Sequence, residues 1–419
     1  MWGKTGFNDF NVNLLIEHQC PQCGAPATLQ ESDRLYPCPY CRVNSYLVET
    51  DFFRYMFSVD AASGKELIYF PYWRLKGMLF SVSPQGLEHR FIDVSLQGSE
   101  SSVLPISLGL RSQALKLKFV SSDARGRFLA PRLPLSQVKK TLDTRFSLHL
   151  PKPILHQAQI GESLSLIYSP FYIQNGVYDG ILNQLVSDSV PDGFDAGQVP
   201  GGRPGWNVRF IPTLCPNCGW DLQGERDSQV LACSNCASMW RGTAEGMRRV
   251  KFAILPSKSE SAVYLPFWRI KAEVSGIALR SYADLVRAAN LPRVIQPGWE
   301  EIEFRFWAPA FKVRPQTFLR LADHLTRFQP GGHLEADLPK GKIHPVNLPF
   351  TEAVESLKTI VAGFLRPRKA LLEKLLEIRI GAMGRLLVFI PFVETLHELV
   401  QPEYRLAVNR NQLRLSGNL

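Results

Sequence analysis

No apolar run in this 419-residue sequence approaches the roughly 20 residues that a membrane-spanning helix needs. The Met1–Asn13 stretch has no apolar core flanked by positive charge, so no signal peptide is expected. Catalytic signatures are missing as well. There is no HExxH, no GxSxG and no dinucleotide-type glycine pattern. Gly3-Lys4-Thr5 ends like a phosphate loop but lacks the glycine and the strand that should precede it. The eight histidines are scattered, and none stands at an instructive spacing from a carboxylate or a nucleophile. The sequence therefore offers no catalytic residue to assign. Cysteine is scarce too: eight residues, none of them outside two compact groups, which leaves nothing over for a disulfide framework.

What is present fits a globular chain of ordinary make-up. Hydrophobic residues are 45% and charged residues 21%, with a mean hydropathy of −0.07, enough to build real cores over two to four domains. Thirty Pro and thirty Gly favour short strands and many turns. The net charge of +10 is unevenly placed. The first 200 residues hold 18 basic and 18 acidic side chains, so the remainder carries the whole excess. A basic half points to nucleic acid, an acidic partner or a membrane surface, or simply to a solvated face.

The cysteines occur as Cys20-Pro21-Gln22-Cys23 with Cys38-Pro39-Tyr40-Cys41, and as Cys215-Pro216-Asn217-Cys218 with Cys233-Ser234-Asn235-Cys236. Two thiolates separated by two residues can grip one ion from a single turn. A second pair fourteen residues on completes a tetrahedral S4 shell, the closed geometry of structural Zn²⁺. Iron in the same shell is chemically possible. Cys20–Cys41 and Cys215–Cys236 resemble zinc ribbons, small modules of many transcription factors, polymerase subunits and adaptors. The resemblance implies a two-hairpin fold around each of two zinc ions, without implying transcription. His18, two residues before Cys20, is expected to lie near the first site or to be exposed. Paired CxxC knuckles suit a reducing compartment, so a cytoplasmic location is expected.

All four cysteines of the first group map onto the second at an offset of 195, and the offset persists downstream. Tyr69–Lys76 falls on Tyr264–Lys271. At 187, Leu104-Pro105 meets Leu291-Pro292 and Leu115–Phe119 meets Ile302–Phe306. At 215, Leu133–Ser136 meets Leu348–Thr351, and at 221, Leu166–Phe171 meets Leu387–Phe392. Ordered blocks of this kind point to an internal duplication. The expected fold class is mainly β with some α (α+β), in two tandem repeats. Residues 1–50 form the first ribbon, 51–186 a β-rich module, 187–206 a linker, 207–245 the second ribbon and 246–419 a larger module with extra helices. Those helices are read at Pro315–Phe328, at Thr351–Leu365 with Thr351 as N-cap, and at Pro367–Ile380.

Period-2 alternation makes Leu67–Val82 a half-buried strand, with Tyr69, Pro71, Trp73 and Leu75 on one face and Phe70, Tyr72, Arg74 and Lys76 on the other. Pro71 argues for an edge or a bulge there. Basic residues interleaved with aromatics are also candidate partner contacts: Trp73, Arg74 and Lys76, and Trp268, Arg269 and Lys271. Arg368, Lys369 and Lys374 join them on the Pro367–Ile380 stripe, which could lie on a membrane or in a partner's groove. The reading is a non-enzymatic zinc-ribbon scaffold or adaptor with protein partners and no small-molecule substrate. Its rivals are a nucleic-acid-binding protein, a peripheral membrane protein, and an enzyme or accessory subunit with a site between the halves, for which a deep polar cleft would speak.

Overall fold

The computed structural model describes residues 14–59, 64–109, 115–188, 190, 200–257, 259, 261–366 and 373–415. Strand makes up 41% and helix 15%, so the protein is mainly β with a few helices. Two long antiparallel pairs form the frame. Ile68–Ser83 runs against His156–Ile173, and Val263–Ser275 against Arg379–Glu394. In the first pair Trp73 faces Leu166 and Pro71 faces Tyr168; in the second Trp268 faces Leu387 and Pro266 faces Phe389. The ladder breaks just past Lys76 in one and just past Lys271 in the other.

Flanking elements recur in the same way. Phe53–Phe57 joins the first pair in parallel, with Arg54 opposite Leu166, and Phe252–Ile254 joins the second, with Phe252 opposite Leu387. On the other edge Phe128 lies opposite Tyr69 and Ile343 opposite Tyr264. The indole N–H of Trp73 donates to the Leu133 carbonyl at 3.1 Å, and that of Trp268 to Leu348 at 3.0 Å. A helix follows each of these leucines: Leu135–Ser147 in one half, Phe350–Glu355 and Leu357–Phe364 in the other.

The prolines sit where the missing donor does no harm. The Pro71 carbonyl accepts from Gly98 N–H at 2.7 Å, and Pro266 from Ala310 N–H at 3.0 Å. Along a strand a residue's N–H and C=O face the same neighbour, so the absent donor points into the gap between two flanking strands. These are interior strands, with neither an edge nor a bulge at the proline.

Several expectations are corrected. Ile68–Ser83 is buried on both faces, where one solvated face was expected. Phe70 and Tyr72 pack in one core with Tyr55, Phe57 and Leu117, while Tyr69, Trp73 and Leu75 pack in another with Val138 and Leu142. Ile302–Phe306 is not the counterpart of Leu115–Phe119. Leu117–Phe119 pairs with Leu15–Gln19 and Phe53–Phe57, whereas Phe306–Pro309 pairs with Val263–Ser275, the place taken in the first half by Gly86–Gln97. Pro315–Phe328 is the expected helix, with Phe318, Leu321 and Leu325 fully buried. Thr351 lies inside its helix; Pro349 is the N-cap, held there because the adjoining Leu348 carbonyl is tied to Trp268. The helix expected over Pro367–Ile380 falls partly outside the described residues. The remainder is a 3₁₀ turn, Glu373–Leu376, leading into the strand that begins at Arg379 and pairs with Ser275. Its apolar positions Leu375 and Ile378 are fully buried in the protein's own core, where strand pairing overrides the helical period.

The halves share their largest core. Met78, Phe80 and Ile160 of the first pack with Phe318, Leu321 and Leu348 of the second. The ribbons are joined too. Arg209–Pro212 pairs antiparallel with Asn44–Val48, which pairs with Leu35–Pro37. Gly242 lets the Tyr46 ring approach so closely that an added Cβ would lie 2.2 Å from it. Gly242→Ala is expected to lower stability in urea by about 1–3 kcal/mol by forcing that contact apart. Gly331→Ala, with nothing within 4 Å of the added carbon, should change it little.

Candidate metal centres

Each knuckle is built by its own backbone. Cys20 N–H donates to the Ala25 carbonyl at 2.7 Å and Gly24 N–H to the Cys20 carbonyl at 2.9 Å; Cys215 N–H with Trp220, and Gly219 N–H with Cys215, repeat this at 2.8 Å each. The turn needs a left-handed residue, supplied by Gly24 at φ 73° and Gly219 at φ 75°. The returning pairs close the same way, with Arg42 and Ala237 taking the positive φ.

These turns aim four sulfurs at one point. Cys20 and Cys41 lie 3.8 Å apart, as do Cys23 and Cys38; Cys215–Cys236 is 3.6 Å and Cys218–Cys233 is 3.5 Å. Within each tetrad all donor atoms lie within 4.8 Å of one another. A tetrahedron with metal–sulfur bonds of about 2.3 Å has edges of about 3.8 Å. Covalently bonded sulfurs would sit near 2.05 Å. Both tetrads, Cys20, Cys23, Cys38, Cys41 and Cys215, Cys218, Cys233, Cys236, therefore have the donor set and spacing to hold a metal ion, consistent with zinc ribbons.

Electrostatics point the same way. Cys38 is drawn down to about 6, first by the Cys41 amide. The Val43 amide pulls Cys41 down, yet burial and the other three sulfurs push it up to about 12. Cys236 is drawn down to about 6, first by the Ser238 hydroxyl, and Cys233 is pushed up to about 12, first by burial. Four thiolates cannot ionise together unless a cation stands among them.

The surroundings of the sulfurs differ between the sites, which cysteine spacing did not reveal. Trp240 N–H donates to Ser238 Oγ at 2.8 Å, which leaves the serine hydroxyl hydrogen for Cys236 Sγ at 3.0 Å. Val43 stands at the matching place in the first ribbon, so the hydroxyl residue just beyond Cys236 was the only clue in the sequence. His18 is half-buried, not exposed. Its ring stacks on Phe210 at 5.1 Å and meets the edge of Phe119 at 5.4 Å, bridging the halves.

The candidate partner residues are scattered. Trp73, Arg74, Lys76 and Trp268 are buried. Arg74 pairs with Glu31 and Asp93. Arg269 lies 5.9 Å over the Trp307 ring, and exposed Lys271 pairs with Glu303 at 2.6 Å. Lys374 is exposed on the 3₁₀ turn, and Arg368 and Lys369 fall outside the described residues. Among the described residues no helix is long and apolar enough to cross a membrane.

Where ribbons and modules meet there is a polar cleft of about 580 Å³, which sequence reasoning did not locate. Lys312, only 7% exposed, lies at its wall with Nζ 3.4 Å from Ser163 Oγ. Burial lowers the Lys312 pKa. Burial also pushes Glu352 up to about 7, against the pull of Lys312 and of the Glu162 N–H that it accepts at 2.9 Å.

No protein-family model, curated protein or solved structure matches this chain. Elemental analysis of the intact protein is expected to give two zinc ions per chain. Cys233→Ser should reduce this to one, the first tetrad being unaffected; a full complement of zinc in that variant would rule out the second site.

Proposed function

We propose that the chain is a zinc-ribbon scaffold, built from two tandem copies and docking other proteins through its metal knuckles in the cytoplasm. The duplication is supported by the shared strand register: Trp73 opposite Leu166 and Trp268 opposite Leu387, with the ladder breaking after the equivalent lysine in each. Zinc is the reading adopted for both tetrads, since a closed four-thiolate shell is the usual structural zinc site.

The observation that carries the docking role is the exposure of apolar residues at the knuckle tips. Tyr40, between Cys38 and Cys41, is 66% exposed, and Trp220, next to Gly219, is 55% exposed with Leu214 beside the same knuckle at 53%. Aromatic rings on a rigid turn lose little entropy on contact, which is why Trp and Tyr dominate interface hot spots. A protein partner accounts for these rings better than nucleic acid does. Several of the second half's positive side chains are already paired, Lys271 with Glu303, Arg287 with Asp284 and Glu300, and Arg410 with Glu394.

The test is affinity capture from the native cell with wild type and with the Tyr40→Ala/Trp220→Ala double variant. Both should carry two zinc ions. Proteins held by wild type are expected to be lost from the variant by about tenfold or more, the effect of about 1.4 kcal/mol or more at a hot spot. Identical capture by both would refute the docking role of the tips.

A further inference from the structure

The cleft at the junction belongs to neither ribbon nor module alone. The first ribbon contributes Arg34 and Glu49, the second Asp227 and Arg241, and the two modules Glu162, Lys312 and Glu352 among others. A pocket of about 580 Å³ between packed units is the usual setting of a small-molecule site. Its charge comes from both signs, so the question is which groups are left for a ligand.

Most are committed. Arg34 pairs with Glu49 at 3.1 Å, and Asp51 with Arg54 at 2.6 Å. Glu162 pairs with Lys139 at 2.7 Å, and Asp227 accepts from Asn347 Nδ2 at 2.5 Å. Lys312 is held by Ser163 on one side, while its own backbone N–H donates to Asn347 Oδ1 at 2.7 Å. Two lining charges stand apart. Arg241, on the second ribbon's Ser238–Thr243 strand, and Glu355, at the end of the Phe350–Glu355 helix, have neither a hydrogen bond nor an ion pair from their side chains among the described residues. Arg241 is only half-exposed, and a guanidinium in that position is shaped for bidentate binding of a carboxylate. Glu355 lies on the same short helix as Glu352, whose carboxylate accepts from the Glu162 N–H.

We propose that the cleft binds a small zwitterion, an amino acid or short peptide whose carboxylate meets Arg241 and whose ammonium meets Glu355 beside Glu352. A ligand with one charge would pair only one of these groups. A zwitterion satisfies both. This role is separate from docking at the knuckle tips, and either can fail without the other.

The experiment uses the full-length, zinc-loaded chain. The common amino acids and a set of di- and tripeptides, each at about 5 mM, are screened by thermal melting, where a ligand that binds only the folded state raises the Tm. At least one is expected to raise it by several degrees. Calorimetry then compares the best binder with its N-acetylated and C-amidated forms. Each blocked form should bind about tenfold or more weakly, as should the parent ligand to Arg241→Ala and to Glu355→Gln. Arg241→Ala should not further weaken the amidated form, which lacks the carboxylate. Zinc content and circular dichroism confirm that both variants are folded; neither side chain is buried. No Tm shift from any probe, blocked forms that bind as well as the parent, or variants of unchanged affinity would each overturn the proposal.

Discussion

The two knuckle-bearing segments are joined by an edge-to-edge strand contact, Arg209–Pro212 against Asn44–Val48. A strand edge exposes unpaired N–H and C=O groups and must be covered. Here each ribbon covers the other. Around that seam Leu35, Tyr46 and Val48 of one ribbon share a core with Ile211, Leu222, Leu231 and Trp240 of the other. Cys215 and Cys233 belong to the same core, so the second cysteine tetrad and the joint between the halves are one packing unit. The loop inside that ribbon extends the joint. The Arg226 carbonyl accepts two backbone hydrogen bonds, from Arg34 and Leu35, and Gln229 N–H donates to Val346 of the second module at 2.7 Å.

A buried ionic network ties the first knuckle-bearing segment to the long strand Ile68–Ser83. Glu31, from the first ribbon, accepts from Arg74, and Arg74 also reaches Asp93 at 3.0 Å. Burial alone would raise the Glu31 pKa, but Arg74 and Lys76 outweigh it and hold the carboxyl below its usual range. Burial draws Lys76 down to about 8. Such a network costs desolvation energy, and losing one member strands the others. Offset by 195, Glu31 corresponds to Arg226 and Arg74 to Arg269. The second half thus has an arginine where the first has the acid, and its Arg269 rests against Trp307. The same strand position is supported by charge in one half and by an aromatic face in the other.

Local and repeated features were legible in the sequence. The cysteine spacing foretold both tetrads, because ligand geometry is set within a few residues of each sulfur. Pro315–Phe328 was legible because its apolar period continues over four turns with a proline at the start. Features that depend on what lies opposite were not. Alternation in Leu67–Val82 correctly assigned its two faces, yet it carries no sign that Val138 and Leu142 cover one of them. The apolar stripe at Leu375 and Ile378 fits a helix equally well, and only pairing with Val263–Ser275 makes the following residues a strand. Similarity of Leu115–Phe119 to Ile302–Phe306 reflects a common alternation and no common position. The cleft had no local signature at all, since Arg241 and Glu355 are far apart in the chain and line one cleft only through the packing of ribbons and modules.

The pairing of Asn44–Val48 with Arg209–Pro212 also bears on biosynthesis. Translation adds roughly 5–20 residues each second, so the first ribbon emerges roughly ten to thirty seconds before its covering strand. Throughout that interval a nascent chain presents an open β edge beside the apolar side chains of Leu35, Tyr46 and Val48. The four cysteines of its first tetrad are already made by then, but its outer edge is left to chaperones or to neighbouring nascent chains until the second ribbon arrives. Polysomes carrying several such chains would place identical open edges side by side, and exchange of strands between copies is the hazard this connectivity creates.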